Sequence, residues 1–168
     1  MGTYREQDPL ASLMNREQAR VLACLDTFAT GGKSAALADA RRILRALGDA
    51  ESEVLYPAFS RVRLRPEAQH LLDDSRGNRA EQLAALDNVA GRRAPRLRKL
   101  AMVQLASLIN DHATRHLSVL IPILASQLAR PLYRCIVQAF ANHYDGVLAA
   151  APPTPERPRR ARAVASNA

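Results

Sequence analysis

The sequence predicts an all-α fold: an up-and-down antiparallel four-helix bundle with an additional fifth helix at the C-terminal end. Three observations predict it. Apolar residues recur at spacings of three and four through most of the 168 residues, and no segment alternates as a strand would. Proline and glycine punctuate the chain where helices of bundle length would begin and end. One phrase also occurs twice: ESEVLYPAF at 51–59 and HLSVLIPIL at 116–124 share Val-Leu-x-Pro at an offset of 65 residues, about the length of one helical hairpin.

The first helix is expected from Asp8, an N-cap residue followed by Pro9 at the first helical position, to Thr30. Leu10, Leu13, Met14, Val21, Leu22, Leu25 and Phe28 line one of its faces, and Gly31-Gly32 end it. The second starts near Ser34 and carries Ile43, Leu44, Leu47, Val54, Leu55 and Phe59 on one face. Gly48 inside it costs about 1 kcal/mol against alanine. The third lies between Pro66 and Ala90, with Gly77 as a point where it breaks or loosens. The fourth runs from Pro95 to Ala129, with Leu100, Val103, Leu105, Leu108, Ile109, Val119, Leu120 and Ile123 facing inward. Pro57 and Pro122 fall inside helical patterns, where proline removes a ladder bond and bends or ends the helix.

The fifth helix, 131–149, has an apolar stripe of Leu132, Ile136, Phe140, Val147 and Leu148. It is expected to seal the open end of the bundle, with homodimer formation through part of the stripe as the alternative. The resulting division is a flexible N-terminus at 1–7, a helical domain at 8–150 with its core in 8–128, and a disordered basic tail at 151–168.

The net charge of +8 is concentrated in GRRAPRLRKL at 91–100 and in the tail. A dedicated nucleic-acid reader would add a recognition motif or stacking aromatics; aromatics make up only 4% of the chain, and the expectation is at most non-specific polyanion binding through the tail. Cys24 and Cys135 match no zinc or redox spacing and are read as two buried thiols in a reducing cytoplasm. No signal-peptide pattern occurs, and the longest apolar run, near 117–125, is far short of the roughly 20 residues of a spanning helix. A cytoplasmic protein with no membrane partner is expected. No Ser-His-Asp or Cys-His pattern, phosphate-cradling loop or nucleotide fingerprint points to catalysis.

The doubled phrase carries a family resemblance. The chain resembles the hemerythrin-like family, or HHE cation-binding domain, over roughly residues 8–128. Its members are four-helix bundles whose histidines and carboxylates hold a pair of irons. Their second and fourth helices carry H-x-x-x-E with a proline six residues after the Glu. Here Glu51 stands six before Pro57, His116 six before Pro122, and His112 takes the leading His slot of the fourth helix. DPLASLMNREQARVLACLDTF resembles the family's first helix and PEAQHLLDDSRGNRAEQLAALD its third. The ligand set departs from the family. Leu47 stands in the leading His slot of the second helix, His116 in the carboxylate slot of the fourth, Glu17 or Gln18 in the His slot of the first, and Arg79 in that of the third, with Arg76 or Asn78 as alternatives. Reversible oxygen binding is therefore not transferred.

What remains allows two expectations. His112 and His116, one turn apart, could join Glu51 around one ion in a mononuclear non-heme arrangement that suits iron, zinc or manganese, with Glu17 as a fourth ligand, serving sensing, storage or minor redox work. Alternatively the centre has lost its metal and Arg79 pairs with Glu51, leaving an interaction or regulatory module with an unknown protein partner. His70, His143 and the pair Asp73-Asp74 are expected at the surface.

Overall fold

A computed structural model describes residues 8–150; the expected N-terminal segment 1–7 and basic tail 151–168 lie outside the described residues, as does the side chain of His116. All regular structure among the described residues is helical, and no helix is long and apolar enough to cross a membrane.

Helix α1 spans Pro9–Gly31 and starts as the sequence predicts. The Asp8 carboxylate accepts the Leu10 and Ala11 amides at 2.9 and 3.0 Å, satisfying two of the first-turn donors that a helix leaves open. It ends on Gly32, whose φ of 62° suits glycine and lets its N–H reach the Phe28 carbonyl at 2.8 Å. Helix α2 covers Ser34–Ala50 and passes without a break into a π-turn, Glu51–Leu55, a short helix α3, Tyr56–Ala58, and a 3-10 turn, Phe59–Arg61. Helix α4 runs Pro66–Gly91 straight through Gly77, where the sequence predicted a loosening; nothing lies near that glycine to force one.

Helix α5, Pro95–Asp111, continues through a second π-turn, His112–Leu117, into α6, Ser118–Gln127. The first π-turn opens one copy of the doubled phrase and the second leads into the other, upstream of Pro57 and Pro122, and both prolines are exposed. A widened turn is a physical answer to proline, whose ring clashes with the carbonyl four residues earlier.

The second π-turn also corrects the inward face expected for the fourth helix. Its buried residues step 101, 105, 109, 112 and then jump by five to 117, before 120, 121 and 124. That jump is the extra residue of the π-turn, and it rotates the buried face. Leu100, Val103 and Val119, expected inside, are exposed, together with Leu97, whereas Ala101, Leu105, Ile109 and Leu120 are buried.

Helices α1 and α2 lie against each other, as do α4 and α5, and α2 also touches α4. The sides they share form one aliphatic core that includes Leu10, Met14, Val21, Leu44, Leu47, Leu86, Leu105 and Leu120. Helix α7, Arg130–Ala150, packs mainly along α2 and buries Ile136, Phe140 and Tyr144. Two hydroxyls tie it to α1: Tyr133 donates to the Asp8 carboxylate, at 2.7 Å from Oδ2, and Tyr144 donates to Glu17 Oε2 at 2.6 Å. Both pairs ascend together along their helices, so α7 runs parallel to α1. The inner part of its stripe is therefore spent within the chain.

Candidate functional site

The site is built at the level of the two π-turns. Glu51 opens the first one, and its carbonyl accepts the Tyr56 amide five residues on. His112 opens the second. Both side chains are fully buried, and His112 Nε2 stands 3.2 Å from Glu51 Oε1. Glu51 of the doubled phrase thus meets His112, four residues before the phrase's second copy, inside the protein.

A third group completes the contact. Arg79, buried on α4, places Nε 3.1 and 3.0 Å from the two Glu51 oxygens and Nη2 2.6 Å from Oε1. This forked, charge-assisted geometry is the strong form of a guanidinium–carboxylate pair. The approach is close because of Gly48: a Cβ there would meet Cβ and Cγ of Arg79 at 3.3 and 3.4 Å. Glycine inside α2 therefore makes room for the arginine stem.

Further polar groups close the network. The Tyr56 hydroxyl lies 3.2 Å from Glu51 Oε2 and 3.0 Å from both the carbonyl and the Oγ of Ser75. Arg79 Nη1 donates to Gln82 Oε1 at 2.7 Å; the Gln82 amide donates to Asn78 Oδ1 at 2.7 Å and to the Leu108 carbonyl of α5 at 3.3 Å. Ser75, Asn78, Arg79 and Gln82 are all buried. Sequence reasoning missed Tyr56, Ser75 and Gln82. For Ser75 and Gln82 a signal existed, because they continue the inward stripe of Leu72, Leu86 and Val89 at helical spacing.

The electrostatics follow from this crowding. Burial pushes the Glu51 carboxyl up, but the Arg79 charge, followed by His112, more than reverses this and holds it at about 2. Burial and the neighbouring Glu51 charge raise the Tyr56 hydroxyl, so it stays a neutral donor. The centre is thus an ionised carboxylate locked to a guanidinium, with imidazole and phenol at its edges.

Glu17 does not join it. It is buried on α1, but its carboxylate takes Tyr144 of α7, Arg16 Nε at 2.8 Å and Arg20 Nη1 at 2.5 Å. Burial raises its carboxyl, and Tyr144 and the two arginines together bring it below its ordinary value. Gln18, the other residue in the first-helix ligand slot, is buried as well. His116 lies in the second π-turn by its backbone. Leu47 is fully buried and fills space, while His70, Asp73 and Asp74 are exposed and His143 is half-buried. Cys24 is half-buried and Cys135 exposed, rather than both buried. Among the described residues, no three His, Cys, Asp or Glu side chains come together as a metal-holding group. No protein-family model, curated protein or solved structure matches the chain.

Proposed function

We propose that this chain is a hemerythrin-like four-helix bundle in which a guanidinium takes the place of the family's metal, so that it works without an ion as an interaction or regulatory module. The observation that carries the reading is the fork of Arg79 on Glu51. Iron, manganese or zinc held by this set would take its carboxylate ligand from Glu51, and the residues as arranged do not fit one. Both Glu51 oxygens already face a fixed cation, and Arg79 is itself anchored on Gln82. A metal ion there would stand beside a buried positive charge with no second carboxylate to offset it. The retained family slots explain why the pair is central: Arg79 occupies a ligand position of the third helix and supplies the charge that the ion would have supplied.

A second reading draws on the 3.2 Å contact between His112 and Glu51. In it these two residues and His116 hold a single Fe, Mn or Zn ion, with Arg79 swung away. Elemental analysis separates the two. Untagged protein reconstituted anaerobically with Fe(II), Mn(II) or Zn(II) and then desalted is expected to carry no stoichiometric metal. Near-stoichiometric metal that disappears in His112→Ala and Glu51→Ala would replace the first reading with the second.

A further inference from the structure

The exposed face of α5 carries two ridges side by side. Leu97, Leu100 and Val103 are 49%, 56% and 59% exposed, and they recur every three residues. On α5, Arg96 and Lys99, both exposed, stand four residues before Leu100 and Val103; Arg93, also exposed, lies in the connection just before the helix. Residues four apart are neighbours on a helix surface, so Leu100 and Val103 each have a cation beside them. Arg98 is set apart from this face: its guanidinium lies over the Phe28 ring, 5.3 Å from the centroid.

Among the described residues no carboxylate answers these charges. No Asp or Glu occurs between Asp87 and Asp111, and among the described residues Arg93, Arg96 and Lys99 make no ion pair. The cations also crowd the start of α5, whose first turn holds no acidic residue, against the sign that a helix N-terminus favours. Apolar side chains held in water beside unanswered charge of one sign describe a surface awaiting a partner.

We infer that this face docks an acidic amphipathic helix of another protein, whose apolar ridge covers Leu97, Leu100 and Val103 and whose carboxylates meet Arg96 and Lys99. Charge decides against a second copy, which would set one basic ridge against another. The step decides for a helix over a lipid surface: rows three residues apart form an inclined ridge that fits the groove of a second helix, whereas a bilayer reads only total charge and apolar area. The inference deepens the interaction-module reading and rests on it for its biological sense. Its test reads only the α5 face, so metal found at Glu51 would end that reading and leave this one standing.

The test is fluorescence anisotropy of the full chain with a labelled helical peptide bearing parallel Leu and Glu ridges. Binding is expected to fall about tenfold or more in Leu97→Ser/Leu100→Ser and in Arg96→Glu/Lys99→Glu, and a Leu/Lys peptide is expected to restore it to the charge-reversed variant. That rescue distinguishes a lost contact from a lost fold. Several results would overturn the inference: no binding of the Leu/Glu peptide, equal binding of a Glu peptide lacking leucine, or loss of binding only on removal of 151–168. Capture of phosphatidylglycerol vesicles, or self-association, through these residues in place of peptide binding would overturn it too.

Discussion

Two buried glutamates, Glu51 and Glu17, have opposite neighbourhoods. Glu51 is answered from across the fold, by Arg79 of α4 and His112 of the second π-turn, both of them buried. Glu17 is answered from its own helix, by Arg16 and Arg20, whose side chains are 66% and 49% exposed. Among the described residues, only the Tyr144 hydroxyl reaches Glu17 from elsewhere. The difference teaches that a buried charge can be compensated in two ways. One locks distant helices into a single arrangement; the other lets long side chains bring partial contact with water to the carboxylate.

The comparison breaks most visibly at the Glu51–Arg79 pair. Arg79→Leu, which strands an ionised carboxylate in the core, is expected to lower stability by about 3–5 kcal/mol in urea unfolding. Glu51→Leu should cost a similar amount by stranding the guanidinium. The double variant Glu51→Leu/Arg79→Leu is expected to recover most of the loss, because well-packed apolar replacements for a buried pair are often neutral. A double variant no better than the sum of the singles would show that the two residues act separately.

Acid sharpens it next. The Glu51 carboxyl is held at about 2 against an ordinary 4.5, so its contribution to stability is complete above about pH 4.5. It is lost as pH falls from about 4.5 to about 2, amounting to about 3 kcal/mol over that window. Glu17 is shifted in the same direction, so it adds loss of the same sign below pH 4.5. Stability measured against pH is expected to fall more shallowly in the Glu51→Leu/Arg79→Leu variant than in wild type. An unchanged slope would remove Glu51 from the account.

The smallest effect belongs to the second glutamate. Tyr144→Phe deletes one hydrogen bond to a carboxylate that keeps two arginines, and a loss of about 1–2 kcal/mol is expected. A loss as large as that of Arg79→Leu would erase the contrast between the two sites.

Much of this arrangement was legible in the sequence, for reasons that differ from residue to residue. Asp8-Pro9 and Gly32 mark the bounds of α1 through local chemistry alone, which tertiary packing does not override. The repeated Val-Leu-x-Pro set the turn ending at Glu51 beside the His112–His116 turn, and the position of Arg79 followed once α4 ran unbroken through Gly77. The face of α5 was not legible. The three-and-four rule has no place for the step of five between His112 and Leu117, so Leu100, Val103 and Val119 read as core and stand in water. Tyr144 was missed because a buried tyrosine reveals its polar contact only when its partner is known, and Glu17 lies 127 residues away. Gly48 looked like a cost to α2 until the arginine stem beside it gave it a use.

The most direct measurement is the Arg79 Nε–H resonance in protein labelled with nitrogen-15. A guanidinium locked on a buried carboxylate is expected to give a distinct, slowly exchanging signal that disappears in Glu51→Leu and does not move when Zn(II) or Fe(II) is added. A signal that exchanges freely with water, or one displaced on addition of one equivalent of metal, would contradict the claim that arginine holds the place of the ion.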